Sequence, residues 1–425
     1  MRQNAPLRGW IVTVMLCLFM AVNFADKAAF GLAAIPIMRE MHLTHTGFGL
    51  LGASFFALFS ISALLAGFLG DRLSTKWLLA GMALVWTAAQ LPLLAPLGLA
   101  AFFACRILLG AGEGPALPTA LHAAYKWFPD SRRPFVSAIV GLGVPIGAAA
   151  AGLLVTRTIA ALGWHFSLGV LGFASLIWCG VWLFAGGEPA VARPERAEPE
   201  SQARIPLSSV LVNRTVIGIT VIAFSAYWVS SLAIIWLPSF LETAARMTPA
   251  TVGVVLASTW LLQVPLFPLT GLFSTYLSGR GFSSGVSRGA LAAVSAALAG
   301  AAMLGLAMAQ PMWLVVALAA VCLGSQVVAG TVLPPLLAEV VPPARRGVAL
   351  GACVAVASLG GFLAPVIFGR VVDVAGSSSY RTAFLVSGAL VIVGAIVAQM
   401  LVRPSEDRVR LQPSRASNDA PLAAS

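Results

Sequence analysis

The chain has 425 residues, of which 59% are hydrophobic and only 10% are charged, and its formal net charge is +11. A soluble domain carries about 25% charged residues, so this chain cannot cover its own surface in water. The composition predicts an integral membrane protein and excludes a large soluble enzyme. The basic excess does not indicate nucleic-acid binding, because the lysines and arginines lie in short loops between apolar segments.

Apolar segments follow one another along the whole chain. A helix needs about 20 apolar residues to cross the hydrocarbon core of a bilayer. Such segments are predicted at residues 10–37, 47–70, 76–96, 98–122, 134–160, 165–186, 214–240, 250–273, 287–309, 312–338, 347–369 and 381–402. The first is too long for the apolar part of a signal peptide. The sequence therefore predicts an all-α membrane protein with twelve transmembrane helices in two six-helix repeats.

A polar break separates the two groups of six segments. It contains the run GEPAVARPERAEPESQAR, whose prolines and alternating charges predict a solvated linker. The predicted domains are an N-terminal six-helix bundle (1–186), a cytoplasmic linker (187–213), a C-terminal six-helix bundle (214–403) and a cytoplasmic tail (404–425) that is expected to be disordered. Two parallel six-helix repeats are typical of transporters whose substrate site lies near the midplane between the halves.

The basic residues predict the orientation. If the N-terminus is inside, 19 lysines and arginines fall on the cytoplasmic side and 5 on the opposite side. This bias places both termini in the cytoplasm. The halves also repeat weakly, since paired arginines (Arg132 and Arg133; Arg345 and Arg346) precede a Gly- and Ala-rich helix in each. Small residues let helices approach closely in lipid, so these are predicted packing helices.

The chain shows no pattern of metal or catalytic chemistry. Its five cysteines lie in apolar segments without the spacing of metal ligands or of a disulfide framework. No clustered nucleophile and base are visible either. We therefore expect no cofactor, no metal site and no enzymatic activity.

Four charged residues, Asp26, Lys27, Arg106 and Glu113, lie inside the first and fourth apolar segments. Each such charge costs at least about 2.5–3.5 kcal/mol, which indicates a functional cluster. Asn23 shares a helix face with Lys27. Counting residues from the helix ends places Asp26 and Arg106 at similar depth, where they could pair. It places Glu113 deeper, without an obvious cationic partner.

The charge balance of this cluster suggests a coupling mechanism. Burial disfavours the charged form of an acid that has no partner. The four groups sum to zero when all are ionised, and protonation of one carboxylate makes the cluster a better host for an anion. Loss of that proton weakens anion binding. Proton and anion therefore favour each other's binding, as proton-coupled symport requires. The alternative is that the four charges form static pairs between helices.

The loop between the second and third segments reads GFLGDRLSTK, with Gly67, Asp71, Arg72 and Lys76. This spacing predicts a cytoplasmic gate in which basic residues bind the C-termini of helices. An ordinary charged turn is the alternative. The loop resembles the signature G-x-x-x-D-R-x-G-x-K/R of the major facilitator superfamily, with Ser74 in place of its second glycine.

The C-terminal half has no charge in its helix centres, so uncharged groups are its binding candidates. They are expected to hydrogen-bond or stack against an uncharged part of a substrate, although packing could explain any one of them. The candidates are Tyr227, Trp228, Gln263, Ser325, Gln326, Thr331 and Ser358.

Together these residues resemble the anion:cation symporter family of the major facilitator superfamily. Bacterial members of that family include permeases for sugar acids such as galactonate, glucarate and hexuronates, and for phthalate. The resemblance covers nearly the whole chain. It rests on Asp26-Lys27 with the run AAIPIMREM, on Asp71-Arg72, on the Arg106, Glu113 and Trp127-Phe128-Pro129 block, on Gly163-Trp164, and on the block from Pro342 and Arg346-Gly347 to Gly360-Gly361.

The resemblance implies roles for the membrane charges. Lys27 would contact the substrate carboxylate, Asp26 and Glu113 would handle protons, and Arg106 would partner Asp26. Two positions depart from the family pattern, because Lys27 replaces the usual arginine and Phe59 replaces a tyrosine common in sugar-acid permeases. A lysine offers a point charge instead of a bidentate fork. These changes leave room for an aromatic or simpler carboxylate.

The sequence thus predicts a monomeric, proton-coupled importer of a small organic anion in a bacterial inner membrane, with H⁺, the anion and lipid as its partners and no nucleic acid. The alternatives are an exchanger or efflux antiporter of the same superfamily, and a non-transporting membrane sensor. The predicted substrate-binding residues are Asn23, Lys27, Phe59, Tyr227, Trp228, Gln326 and Ser358. The predicted proton-coupling residues are Asp26, Arg106 and Glu113.

Overall fold

A computed structural model describes residues 7–63, 74–129, 132–188, 206–309, 311–376 and 379–411. Eleven helices in these ranges are long and apolar enough to cross a membrane. One of them, Phe135–Ala185, has 51 residues, about twice what one crossing needs. Gly163, with φ of 82°, interrupts its helical backbone and divides it into two crossings. The predicted fold of twelve transmembrane helices is therefore confirmed.

The crossings are numbered here α1 to α12 in chain order. Their bounds are Leu7–Leu32 (α1), His45–Ala63 (α2), Thr75–Leu94 (α3), Leu99–Tyr125 (α4), 135–162 (α5), 164–185 (α6), Arg214–Ile235 (α7), Pro249–Gly279 (α8), Gly285–Leu306 (α9), Met312–Val340 (α10), Arg345–Val374 (α11) and Ser379–Leu401 (α12). Short helices at Ala34–Glu40, Leu207–Leu211, Leu237–Thr243 and Pro404–Leu411 lie between or after them.

The C-terminal tail differs from its predicted disorder over Pro404–Leu411, which is helical. Asp407 in this helix is fully buried and accepts hydrogen bonds from Thr215 Oγ1 (2.6 Å) and Arg214 Nε (3.2 Å). The sequence pattern missed this helix because its stability comes from contacts with the start of α7. Residues 412–425 lie outside the described ranges.

Helix α4 is interrupted directly after Glu113. Its first part is Leu99–Glu113 and its second part is Ala116–Tyr125, with Gly114 and Pro115 between them. A proline lacks a backbone N–H and its ring clashes with the preceding turn, so a helix commonly breaks there. The break places the Glu113 carboxyl group at the end of a helical segment in the middle of the N-terminal half.

The two halves meet on the side where α1 ends and α2 begins, which the orientation prediction makes the outer side. A Cβ atom on Gly31 of α1 would lie 1.8 Å from Ile234 O of α7. A Cβ atom on Gly49 of α2 would lie 2.3 Å from Pro365 O of α11. Only glycine fits such contacts, so the outer ends of the halves touch backbone to backbone.

Candidate functional site

Lys27 lies at the centre of the candidate site. Its Nζ donates a hydrogen bond to Asn23 Oδ1 (2.6 Å) and forms an ion pair with Glu113 Oε2 (2.6 Å). The Glu113 side chain is fully buried, and that of Lys27 is 14% exposed. The prediction that Glu113 lacks a cationic partner is wrong. Counting residues along the helices compares backbone depths, whereas the long lysine side chain carries its charge to a different level.

Asp26 is buried beside this ion pair but has a different partner. Its Oδ2 accepts a hydrogen bond from Gln90 Nε2 of α3 at 2.8 Å. Within the described residues, no ion pair forms between Asp26 and Arg106, so the predicted direct pairing is wrong. The Arg106 guanidinium instead stacks against Phe30, 4.0 Å from the ring centre. The amide of Gln90 thus takes the place of Arg106 as the partner of Asp26. The aromatic ring of Phe30 takes the place of Asp26 as the partner of Arg106.

Aromatic rings surround the Lys27 ammonium group. The Nζ atom lies 4.5 Å from the ring centre of Phe24, 5.5 Å from Phe55 and 6.0 Å from Phe59. These distances fall within the range of cation–π attraction. Phe59, predicted from its position in the second segment, therefore lies next to Lys27. The rings give the cation an apolar wall, which raises the strength of its electrostatic contacts.

The candidates of the C-terminal half differ in their surroundings. Some contact the other half, some are buried without a hydrogen-bond partner, and some bond to backbone carbonyl groups. Ser358 Oγ pairs with Ser60 Oγ of α2, which joins the two halves, and also donates to Ala355 O (2.8 Å). Trp228 is buried, and within the described residues its Nε1 has no hydrogen-bond partner. The same holds for Gln326 Oε1, and Tyr227 is half-buried. Unpartnered buried groups are suited to a polar ligand.

Three other polar candidates are occupied within the C-terminal half. Ser325 donates to Cys322 O at 2.8 Å, and Thr331 donates to Val327 O at 2.7 Å. Gln263 Nε2 donates to Thr259 O at 2.9 Å and to Ala320 O of α10 at 3.3 Å, whereas within the described residues its Oε1 has no hydrogen-bond partner. The two hydroxyl groups and the amide N–H group thus bond to backbone carbonyl groups, as the packing interpretation predicts.

The predicted gate motif is described only at its end. Gly67, Asp71 and Arg72 lie outside the described residues. Lys76 Nζ donates a hydrogen bond to Leu183 O (2.7 Å) in the last turn of α6. A cation at the C-terminus of a helix is favoured by the helix dipole, and the sequence predicts this kind of contact.

A carboxylate that sequence reasoning missed lies at the same end of the N-terminal half as Lys76. Glu188 accepts hydrogen bonds from Lys126 Nζ (2.8 Å), Thr75 N (2.7 Å) and Thr75 Oγ1 (2.8 Å). Burial by itself raises the pKa of Glu188, but these hydrogen bonds outweigh it and leave the pKa below its usual value. The group ties α3 to the end of α4. Its position in the polar linker gave no signal of this role.

Gln90 is the central residue that sequence reasoning missed. It is buried at the end of the α-helical part of α3 and binds Asp26. A glutamine inside an otherwise apolar segment is itself a signal, because an unpaired amide is costly in a membrane.

Within the described residues, no group of three or more His, Cys, Asp or Glu side chains could hold a metal ion.

Comparisons with known proteins fit this geometry. Residues 16–334 and 282–424 match the sequence model of the Major Facilitator Superfamily. The chain is therefore a membrane transporter of the Major Facilitator Superfamily, and it is not an enzyme. Among solved structures, a bacterial homolog of the human lysosomal transporter Spinster gives a TM-score of 0.79 at 15% identity, over 95% of this chain and 99% of that one. A D-xylose–proton symporter gives 0.76 at 14% identity, over 94% and 99%.

Relatives among curated proteins are more specific. The chain is 28% identical to a hexuronate transporter of Bacillus subtilis, over 92% of this chain and 94% of that one. It is 27% identical to a probable sulfoacetate transporter of Cupriavidus necator, over 95% and 96%. A probable galactarate/D-glucarate transporter of Bacillus subtilis is 23% identical, over 91% and 89%. The resemblance found in the sequence is confirmed by these relatives.

Proposed function

We propose that the protein is a proton-coupled symporter that imports a small organic anion by alternating access. The proposed substrate is a carboxylate, such as a sugar acid or an aromatic acid. The proposed location is a bacterial inner membrane, with both termini in the cytoplasm and one chain as the working unit. The observation that carries the proposal is the buried ion pair between Lys27 and Glu113. The relatives support the anionic substrate, because the name of each relative gives an organic anion as what it transports.

The ion pair makes the substrate carboxylate and the Glu113 carboxylate compete for the Lys27 ammonium group. A substrate carboxylate needs the Lys27 ammonium group, which Glu113 neutralises at 2.6 Å. Protonation of Glu113 removes its charge and frees Lys27 for the anion. When the proton leaves, Glu113 regains Lys27 and the anion is displaced. Proton and anion therefore bind with positive coupling, which is the thermodynamic requirement of symport.

The surroundings of Lys27 strengthen this competition. The rings of Phe24, Phe55 and Phe59 lie around the ammonium group, and the Lys27 side chain is only 14% exposed. Charges in such an environment interact much more strongly than they do in water. Phe59 offers no hydroxyl donor, so the proposal favours a substrate with one dominant carboxylate over one that requires many hydrogen bonds at this wall. Asn23 supplies a further polar contact to Lys27.

The test uses purified protein in proteoliposomes with an imposed inward proton gradient. Hexuronate, glucarate, sulfoacetate and phthalate form the substrate panel. We expect at least one of them to accumulate against its gradient. Glu113→Gln, which mimics permanent protonation, should retain exchange in counterflow and lose gradient-driven accumulation. Glu242→Gln, a carboxylate change in the helix Leu237–Thr243 outside the site, is the control and should retain both.

Two outcomes contradict the proposal. Counterflow by the unaltered protein without any proton-driven accumulation indicates an exchanger. Full accumulation by Glu113→Gln shows that another group couples the proton.

A further inference from the structure

Asn23 lies one helical turn before Lys27 on the same face of α1 and is only 1% exposed. Its Oδ1 accepts a hydrogen bond from Lys27 Nζ at 2.6 Å. An ammonium group donates hydrogen bonds and cannot accept them, so the amide oxygen and not the amide nitrogen must face it. The Asn23 Nδ2 group, with its two N–H donors, is therefore left for another partner.

The Asn23 amide nitrogen has no acceptor in this state. Across the described ranges, Nδ2 is buried and makes no hydrogen bond. Thr13, another buried polar residue of α1, differs because its hydroxyl donates to Gly9 O at 2.8 Å. A buried donor without an acceptor lowers stability, so a site that keeps one is expected to use it when a ligand binds.

The Glu113 carboxyl group shows what kind of ligand fits beside this donor. Its Oε2 lies 2.6 Å from Lys27 Nζ, and the Asn23 amide faces the same carboxyl group. The Glu113 side chain is fully buried, and its Oε1 has no hydrogen-bond partner in the part of the chain that the structure describes. A carboxylate in this place therefore meets an ammonium group and an unused amide donor.

A transported carboxylate has the same planar group of two oxygens as Glu113. In the proposed cycle, protonation of Glu113 frees Lys27 for this anion. Lys27 alone offers a point charge, which does not fix the second oxygen. Because Nδ2 and Oδ1 of Asn23 share one carbon atom, Nδ2 lies close to Nζ. The two nitrogens can thus bind the two oxygens of one carboxylate, as the parallel N–H groups of an arginine do.

We propose that Asn23 is a specificity-determining residue whose Nδ2 binds the second carboxylate oxygen of the substrate. Lys27 and Asn23 then form one two-point carboxylate site, which Glu113 occupies when no substrate is bound. The amide is neutral, so it adds a donor without changing the charge balance that couples anion and proton. This role rests on the proposed proton-coupled function.

The first test measures KM in proteoliposomes for hexuronate, glucarate, sulfoacetate and phthalate. Asn23→Leu keeps the volume of the side chain and removes its polar atoms. We expect the KM of each accepted anion to rise by about tenfold to a hundredfold, because a hydrogen bond to a charged group is lost. The maximal rate should stay unchanged, as for loss of uniform binding. Thr13→Val removes a buried hydroxyl from the same helix and is the matched control, which should leave KM unchanged.

Lys27→Arg separates binding by Asn23 from mere orientation of the lysine. A guanidinium group supplies two parallel N–H donors by itself. In the Lys27→Arg background, Asn23→Leu should therefore raise KM by less than about threefold, which is close to the scatter of independent changes. An equal rise of KM in both backgrounds means that Asn23 only orients the side chain at position 27, and this result overturns the proposal.

A spectroscopic measurement follows the Asn23 amide directly. The chain has four asparagines, so ¹⁵N labelling of asparagine limits the side-chain amide signals to four. The Asn23 signal is the one lost in Asn23→Leu or, if that variant does not fold, the one that remains after serine replaces Asn4, Asn213 and Asn418. Saturation with an accepted anion at acidic pH should shift this signal, and an unshifted signal overturns the proposal.

The outcomes for this contact and for the proposed symport are distinguishable. Proton-driven uptake with an unchanged KM in Asn23→Leu overturns the contact, while the symport stands. Counterflow without proton-driven accumulation overturns the symport, and a raised KM for counterflow in Asn23→Leu still supports the contact. Transport of none of the four anions by the unaltered protein overturns both.

Discussion

The Lys27–Glu113 ion pair illustrates that losing one partner of a buried pair costs more stability than losing both. Removing one partner of such a pair leaves an uncompensated buried charge and costs about 3–5 kcal/mol. Replacing both partners by neutral groups of similar size is close to neutral. Because the Glu113 side chain is fully buried, the same logic applies to this site.

We therefore expect Lys27→Gln to lower the free energy of unfolding by about 3–5 kcal/mol and to abolish uptake. The double variant Lys27→Gln with Glu113→Gln should regain most of the stability but none of the uptake, because no cation remains to bind the anion. Lys27→Arg is the control that keeps the charge. Thermal unfolding of the purified proteins and uptake in proteoliposomes measure both effects. Equal instability of the single and double variants would contradict this account.

The sequence identified the charged residues of the site but not their partners. Charges in apolar segments stand out because they are costly there, so Asp26, Lys27, Arg106 and Glu113 are visible without a structure. Which charge meets which depends on side-chain length and on helix rotation, neither of which residue counting contains. Lys27 reaches Glu113, and Gln90 takes the place predicted for Arg106 beside Asp26.

At the scale of elements, glycines determine how closely helices pack. Gly147 of α5 lies against α1, where a Cβ atom would be 1.9 Å from Ala21 O. Gly141, in the same helix, has no atom within 4 Å of such a Cβ. Added carbon in a packed contact forces a backbone shift, whereas added carbon in open space does not.

Gly147→Ala should therefore lower the free energy of unfolding by about 1–3 kcal/mol. Gly141→Ala should leave it unchanged or raise it slightly, since alanine favours a helix over glycine. Thermal unfolding in detergent measures the difference between these two variants. Equal stability of both would show that α1 and α5 do not pack as closely as described.

The number of crossings was predictable because it depends only on local composition. A window of about 20 apolar residues marks a crossing wherever it occurs in the chain. The short helix Pro404–Leu411 was not predictable in this way, because Asp407 is held by Arg214 and Thr215, which are far away in sequence. Contacts between distant residues are absent from any local pattern.

At the scale of the whole molecule, one carboxylate joins the two halves on the outer side. Asp373, at the end of α11, accepts hydrogen bonds from the backbone N–H groups of His45 (3.0 Å) and Thr46 (2.8 Å). It also contacts His45 Nδ1 (2.8 Å) and Thr46 Oγ1 (2.6 Å). The first N–H groups of a helix have no partner within it, so Asp373 caps α2 from the opposite half.

Removing this cap should shift the balance between joined and separated outer ends. Loss of a helix cap costs about 0.5–2 kcal/mol, which corresponds to a twofold to thirtyfold change in population. We expect Asp373→Ala to lengthen the distances between spin labels at Leu162 and Met308, exposed residues near the outer ends of the two halves.

The matched control for this measurement is Glu40→Gln. Glu40 lies on the same side, but its partners Trp164 and His165 belong to its own half. The control should therefore leave the distances unchanged. Identical distance distributions in Asp373→Ala and the unaltered protein would mean that the glycine contacts of Gly31 and Gly49, and not the carboxylate, hold the outer ends together. The cap and the Gly49 contact both join α2 with α11, whereas the Gly31 contact joins α1 with α7, so this measurement separates the carboxylate from the backbone contacts and not one pair of helices from the other.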